Sequence, residues 1–431
     1  MNFPMSFPLN FPLDLIMIPV QLIVVFFTLY YFFLSFFGLF KSAQKADAKP
    51  EKSFAILVAA HNEQNVIGQL VENFHIMDYP DKLYDIFVIA DNCTDQTADV
   101  ARRAGANVFE RSDPVNRGKG FAMEWGFANL FKLPKQYDAV AVFDADNLVD
   151  PQFLRVMNHH LMKGESVIQG YLDAKNPTDT WVAGTFAICF WVVDHIWHLA
   201  KYNIGLSSCL GGTGMVISTD HLKRHGWGAT CLTEDLEFTM KCLMDGIPTS
   251  WAHDAIVYDE KPLTFMQSWN QRKRWAQGHF DVAARYIPRL FVEGIKRRDV
   301  RMMDGILHLL QPHFLILSTL FVVLSMVHQT TPFYTNILYS VLPGEVWAVV
   351  AVGQYIFPFI VLTKINAPLK SWFYMLLYPV FIYSWVPITF IGYLQRHDKN
   401  WSHTPHSRSM SYHEVIGSFP KDNMLSKQIA K

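Results

Sequence analysis

YDAVAVFDADN, residues 137–147, is the stretch that decides the fold. Its apolar run is of strand length and stops on two carboxylates, Asp144 and Asp146, two residues apart. A short apolar run bounded by polar residues predicts a strand buried on both faces. Outward from it, FAILVAA (54–60), YDIFVIA (84–90), NVFE (107–110) and SVIQGYL (166–172) repeat the pattern. Helical stretches separate them at 64–75, within DNCTDQTADVARRAG (91–105), where polar caps and Gly105 mark the ends, and over GKGFAMEWGFANLF (118–131). This alternation predicts an α/β fold with a parallel sheet and helices on both faces. Ligands bind such sheets outside the carboxyl ends of the strands. His61, Asn62 and Glu63 follow the first strand, Asp91 and Asn92 the second, and Asp144 and Asp146 the fourth. One acid at a strand end is commonly a cap or turn former. Three such groups on one sheet edge point to a binding site.

On either side of this block the composition changes. Residues 13–40 carry a single charge, Asp14, and exceed the roughly 20 apolar residues needed to cross a bilayer as a helix. No basic region precedes the run, which is too long for a signal peptide. Further spans are expected at 306–328, 346–363 and 371–394, where Pro379 and Pro387 offer a re-entrant pair as the alternative for the last. The expected organisation is therefore an N-terminal span and linker (1–50), a globular domain (51–300), C-terminal spans (301–395) and a basic tail (396–431). Lys41, Lys45, Lys49 and Lys52 follow the first span and no Lys or Arg precedes it, so the positive-inside rule puts the globular domain in the cytoplasm of a multi-pass plasma-membrane protein. The same rule pulls the tail (Arg396, Lys399, Arg408) inside, whereas three single C-terminal crossings would put it outside.

With 37 Lys+Arg against 38 Asp+Glu there is no basic field to attract nucleic acid. The five cysteines show no CxxC pairing and fit a reducing compartment better than a zinc site. GKG at 118–120 is not a phosphate loop of the GxxxxGK[ST] kind, and GxGxxG is absent between strand and helix, which counts against ATP- or NAD-driven chemistry.

Several groups carry chemistry. Asp144 and Asp146 are hard oxygen ligands suited to Mg²⁺ or Mn²⁺ completed by substrate phosphates. LTEDLEF (232–238) sets Thr233, Glu234 and Asp235 before an apolar-periodic helix, either as an N-cap with favourable first-turn acids or as the source of a general base. SSCLGGTGMVIS (207–218) is a Gly-rich turn entering an apolar run. TFMQSWNQRKRWAQGHF (264–280) packs Arg272, Lys273 and Arg274 between Trp269 and Trp275. That is either an interfacial helix with aromatic anchors or a place where arginine grips phosphate and tryptophan supports a sugar ring.

The order FDADN, TED at 233–235 and QRKRW at 271–275 resembles the membrane-integrated family 2 glycosyltransferases, among them cellulose, chitin, hyaluronan and poly-N-acetylglucosamine synthases. The resemblance implies a GT-A (Rossmann-like) domain between transmembrane helices, a UDP-sugar donor, Mg²⁺ or Mn²⁺, and inversion at the anomeric carbon. Carried over residue by residue, Asp91 matches the acid near the uridine, with His61, Asn62 and Glu63 at the nucleotide and Lys119 at the diphosphate. Asp144 and Asp146 match the DxD pair, with Asp146 the metal ligand of the two. Asp235 matches the general base, with Glu234 beside it. Gln271, Arg274 and Trp275 match the motif that closes over diphosphate and acceptor sugar, leaving Arg272 and Lys273 as interfacial residues. KNWSHTPHSR (399–408) is loosely similar to a segment that covers the site in some relatives, and the stretch at 207–218 lacks the arginine that ends the acceptor-side motif elsewhere.

The expected function is an inverting transferase building and extruding a β-linked polysaccharide from UDP-glucose or UDP-N-acetylglucosamine. Its expected partners are the UDP-sugar, a growing glycan or lipid acceptor, and membrane lipids. Two alternatives stand beside it: a single transfer to diacylglycerol or a polyprenyl lipid, and a non-catalytic membrane component that binds or transports polysaccharide.

Overall fold

The computed structural model describes residues 11–40, 48–398 and 409–417, so the 399–408 stretch, Lys41 and Lys45 lie outside the described residues. Eight strands form one sheet: β1 Phe54–Ala60, β2 Tyr84–Asp91, β3 Asn107–Arg111, β4 Ala139–Asp144, β5 Leu148–Val149, β6 Val167–Ala174, β7 Met215–Ser218 and β8 Ser250–Asp259. Their order is β3-β2-β1-β4-β7-β6-β8-β5. In β4, Ala139, Ala141 and Phe143 enter one core while Val140 and Val142 enter the other, which is why the strand reads as continuously apolar. Burying each large side chain of this kind contributes about 1.5–3 kcal/mol.

The sheet is parallel across β3, β2, β1 and β4 and again between β6 and β8. β7 runs antiparallel to both β4 and β6, which corrects the expected all-parallel sheet. The reversal follows the 211–214 turn, where Gly212 and Gly214 take φ of 81° and 60°, conformations that L side chains rarely adopt. β8 was not anticipated. It pairs with β6 through a register shift at Gly170/Tyr171 that leaves His253–Ala255 outside the ladder and masks the period-two pattern.

Four helices among the described residues are long and apolar enough to cross a membrane: Asp14–Phe37, Trp181–Asn203, Gln311–Thr330 and Gly344–Lys364. Trp181–Asn203 was not expected. Two thirds of its apolar stretch (67%) is buried inside the protein, and it contains a π-helical turn at Asp194–Leu199. The expected 371–394 span is not one helix; it divides into Leu369–Tyr374, Tyr378–Tyr383 and Trp385–Leu394. Pro379 sits in the first turn of the second piece, as the ring demands. Asp14, the lone charge of the first span, is fully buried and accepts hydrogen bonds from Thr335 N (2.6 Å) and Oγ1 (2.7 Å). It ties the start of that helix to the segment that follows Gln311–Thr330.

Arg272 was placed at the membrane interface from sequence. The structure buries it completely (0% exposed), between the long helix Phe265–Arg297 and the broken C-terminal helices. Its guanidinium donates to Ser384 Oγ (2.8 Å) and Phe381 O (3.3 Å) and stacks 4.2 Å from the Phe381 ring centroid and 5.2 Å from that of Trp385. Burial pushes it down to about 10, and among the described residues no carboxylate offsets that cost. Arg272→Ala removes stacking and hydrogen bonds together and is expected to destabilise by about 2–4 kcal/mol. Arg272→Met, which keeps the stem, is expected to cost less than Ala; thermal unfolding of both variants in nanodiscs checks this order.

Candidate active site

The carboxyl ends of β1, β2, β4 and β8 open into one cleft of about 720 Å³, closed on the far side by the long helix. Of the residues nominated from sequence, His61, Glu63, Asp91, Lys119, Asp144, Asp146, Glu234, Asp235, Gln271, Arg274 and Trp275 all line it. Asn62 does not. It sits at φ 57° and its Oδ1 accepts from Thr94 N (2.8 Å), so its side chain shapes the turn.

At the β2 end, Asp91 is held by Arg111 Nη1 (2.6 Å), an almost fully buried ion pair, and by Asn92 Nδ2 (2.9 Å). Arg111 pairs with Asp91 in the β2–β3 register. Sequence inspection missed it because β3 is short and its last residue looks like an ordinary surface cation. At the β4 end, Lys119 begins the helix Lys119–Leu130 and donates to Asp144 Oδ1 (2.5 Å) and Gly212 O (2.6 Å). Burial alone would lower the Lys119 ammonium, but Asp144, Glu234 and Asp235 around it raise it above its ordinary value.

Asp144 is the last residue of β4, and Asp146 lies in the turn beyond it. Asp144 N donates to Asn147 Oδ1 (3.1 Å) and Thr213 Oγ1 (3.1 Å). Asp146 is buried, accepts from Glu260 N (3.3 Å), and receives Lys175 Nζ on its carbonyl (2.8 Å). Asp259 at the end of β8 lines the same cleft and pairs with Lys261 (2.6 Å). Among the described residues no three His, Cys, Asp or Glu side chains converge into a metal cage. Two carboxylates offering hard oxygen donors in a cleft fit a divalent ion whose remaining ligands come from a bound phosphate.

Thr233 occupies the N-cap position of the helix Glu234–Met244, yet its side chain makes no capping bond. The capping explanation therefore does not account for the threonine, although Glu234, Asp235 and Glu237 do fill the favoured first turn. Asp235 Oδ1 accepts from Leu236 N (2.7 Å). A Cβ on Gly212 would lie 3.3 Å from Asp235 Oδ2, so glycine there leaves the carboxylate room to face the cleft. Glu237, not nominated from sequence, accepts from Thr230 N (3.1 Å) and Cys231 N (3.2 Å) and is ion-paired with Arg285. It braces the loop that presents Asp235.

Burial pushes Glu234 up to about 7, helped by Asp235 and opposed by Lys119. Burial likewise raises Asp235. Arg274 is lowered by burial, while Glu234, Asp144 and Asp235 act to raise it. Gln271 Oε1 is buried without a hydrogen-bond partner among the described residues. Trp275 lies edge-on to Phe186 (centroids 5.9 Å apart) and tilted against Phe190 (6.3 Å), which fixes its plane at the cleft wall.

The family described as Glycosyltransferase like family 2 matches residues 50–278, more than half of the chain and the whole of this cleft's sheet edge. The chain belongs to that family. Its glycosyltransferase domain is 28% identical over 234 residues to a beta-monoglucosyldiacylglycerol synthase of Nostoc sp. (strain PCC 7120 / SAG 25.82 / UTEX 2576), covering 52% of this chain and 48% of that protein. It is 24% identical over 258 residues to a poly-beta-1,6-N-acetyl-D-glucosamine synthase of Staphylococcus epidermidis, covering 56% and 58%. The chain thus spans about half the length of these relatives. In fold it is similar to the mannosyltransferase PcManGT from Pyrobaculum calidifontis, solved with GDP-Man and Mn²⁺, with a TM-score of 0.57, 16% identity and coverage of 89% of this chain and 99% of that one. The glycosyltransferase domain has the GT-A fold expected from sequence.

Proposed function

We propose that the protein is an inverting, metal-dependent glycosyltransferase that moves one sugar from a UDP-sugar to the hydroxyl of a membrane-borne acceptor. The observation that carries this is the position of Asp235: a buried carboxylate anchored by Leu236 N, facing the cleft past Gly212, with Lys119 and Arg274 beside it. Asp235 takes the proton from the acceptor O–H, and the oxygen forms its bond to the anomeric carbon as the carbon–oxygen bond to the diphosphate breaks. UDP leaves with that electron pair, its charge met by Lys119 and Arg274. Asp144 and Asp146 would hold Mg²⁺ or Mn²⁺, which offsets charge on the leaving diphosphate when bound. Asp91 and His61 would hold the uridine end, Glu63 would face the nucleotide, and Gln271 and Trp275 the sugars.

Single transfer is preferred over polymer extrusion because the apolar helices Gln311–Thr330 and Gly344–Lys364 pack little of their surface against the rest of the described protein. Only 6% of the apolar stretch of Gln311–Thr330 and 28% of that of Gly344–Lys364 is buried. The synthase of Nostoc supports the lipid reading, whereas that of S. epidermidis supports the polymerising one. In nanodiscs with Mn²⁺ or Mg²⁺, UDP release is measured across UDP-glucose, UDP-N-acetylglucosamine, UDP-galactose and UDP-glucuronate. A small, organic-extractable product is the expected outcome, and high-molecular-weight material would establish the polymerising reading instead.

The shift on Glu234 sets a pH dependence. A carboxyl raised to about 7 holds its proton next to the base until the pH passes that value. The pH profile of kcat/KM is therefore expected to rise through pH 7 and then level. Glu234→Gln should remove that limb. Stability moves the other way: the folded state holds a proton that the unfolded chain releases at ordinary carboxylate pH, so the group's contribution is fully present below about 4.5 and lost as pH rises through about 7. Glu234→Gln should flatten that loss in a thermal-unfolding series from pH 5 to 8.

A further inference from the structure

Two buried side chains without charge connect the acids at the end of β4 to the turn that enters β7. Asn147 is 1% exposed and follows Asp146, and Thr213 is 3% exposed and lies between Gly212 and Gly214. β4 and β7 are antiparallel neighbours, so the end of one lies beside the start of the other. The Asp144–Asn147 turn closes through its own backbone, with Asn147 N donating to Asp144 O (3.2 Å). Neither side chain is needed to form that turn, yet both make hydrogen bonds to it.

The backbone N–H of Asp144 can only donate, and it points at Asn147 Oδ1 (3.1 Å) and Thr213 Oγ1 (3.1 Å). Whatever faces it must accept. The Asn147 amide therefore turns its oxygen that way, and the Thr213 hydroxyl gives its own proton to the same oxygen. That leaves the amide nitrogen facing Asp146 Oδ1 (3.3 Å). Glu260 N approaches the other oxygen of that carboxylate, Oδ2 (3.3 Å). A carboxylate has about four acceptor sites, so donors on both oxygens fix its plane while leaving room for a cation. Thr213 is itself braced from β6: Gln169 Nε2 donates to Thr213 O (2.8 Å), and Gln169 Oε1 accepts from Gly211 N (2.8 Å).

We propose that Asn147 and Thr213 are positioning residues for the divalent ion: Thr213 orients the Asn147 amide, and the amide orients the Asp146 carboxylate. This rests on the metal-dependent glycosyl-transfer reading and extends it to two residues outside the nominated set. The chemistry of the donor matters. Lys119 holds Asp144 Oδ1 (2.5 Å) with a full positive charge, which repels an incoming metal ion. A neutral amide on Asp146 aims the carboxylate without adding such a charge, as outer partners of metal ligands commonly do. The same arrangement ties the acids to the turn beside the base. Gly212, next to Thr213, accepts from Lys119 Nζ on its carbonyl (2.6 Å) and faces Asp235.

The test uses the full chain in nanodiscs with UDP present, and reads Mn²⁺ affinity from the electron paramagnetic resonance signal of the free ion, beside thermal unfolding. Asn147→Ala is expected to weaken Mn²⁺ binding by roughly 10–100-fold, the usual effect of losing an outer partner of a metal ligand. Thr213→Val, which keeps the volume and removes one hydroxyl, is expected to weaken it about 2–10-fold. Thr213→Ser should stay within about twofold of wild type. Because Thr213 acts through Asn147, the double variant Asn147→Ala/Thr213→Val should bind Mn²⁺ no more weakly than Asn147→Ala alone. Two effects that simply add overturn the proposal. So does a lowered unfolding temperature with Mn²⁺ affinity unchanged, which is what a packing role alone would give. A wild-type protein that binds no Mn²⁺ beside UDP overturns the metal-dependent reading and the proposal together, whereas a wild type that binds and variants that bind equally well overturn the proposal alone.

Discussion

Asp235→Asn is expected to lower transfer by roughly 10²–10⁴-fold, the range a positioned general base contributes, while the donor binds as before or more tightly. The amide keeps an oxygen to accept the Leu236 N–H, which the carboxylate now does at 2.7 Å, so the start of the Glu234–Met244 helix is preserved. What disappears is the ability to take a proton. Removing a negative charge from the surroundings of Lys119 and Arg274 leaves both cations more available to a diphosphate, which is the reason donor affinity should not fall. Rates and donor titrations on the same preparation separate the two quantities. Near-wild-type transfer would move the base elsewhere in the cleft.

The second large effect is predicted for a residue with no functional group. A side chain at Gly278 would place its Cβ 2.5 Å from Thr233 Oγ1 and 2.9 Å from Thr233 N. The long helix has no room to retreat, because Gly392 on the opposite side already brings Trp385–Leu394 so close that its own Cβ would lie 2.6 Å from that of Ala276. Gln277 Nε2 also fastens the helix to Gln395 O (2.9 Å). Gly278→Val must therefore displace the Thr233–Asp235 loop. A displacement of about 1 Å at a reacting group costs roughly 10²-fold in rate. The expected result is a hundredfold loss of transfer with a folded, donor-binding protein, measured by rate, donor Kd and thermal unfolding. Retained activity would mean the loop tolerates the shift.

Most strands and the cleft's acids were legible in the sequence because their signals are short-range. FAILVAA, YDIFVIA and YDAVAVFDADN each hold a whole strand and the polar residues that end it. The family resemblance then nominated Lys119, Asp235, Arg274 and Trp275, which come from three separate stretches yet line one cleft. Two kinds of feature were missed. Partners that act through another residue, such as Arg111 on Asp91 and Arg285 on Glu237, look like ordinary surface cations until the chain is folded. Apolar content also does not reveal its neighbour. Trp181–Asn203 and 371–394 have comparable composition, but one is an unbroken helix largely inside the protein and the other a chain of three short helices.

By itself the sequence determined the positions of β1 to β4 and of β6, the first membrane-length helix, and the residue types at the sheet edge, because burial periodicity and apolar length are properties of neighbours along the chain. Only the tertiary structure decided that β7 runs against its neighbours, that Arg272 sits in an aromatic cage, and that Arg111 and Arg285 brace the acids of the cleft. Those outcomes depend on which surfaces meet after the backbone turns at Gly212 and Gly214, and residues distant in sequence have no local signal that they will touch.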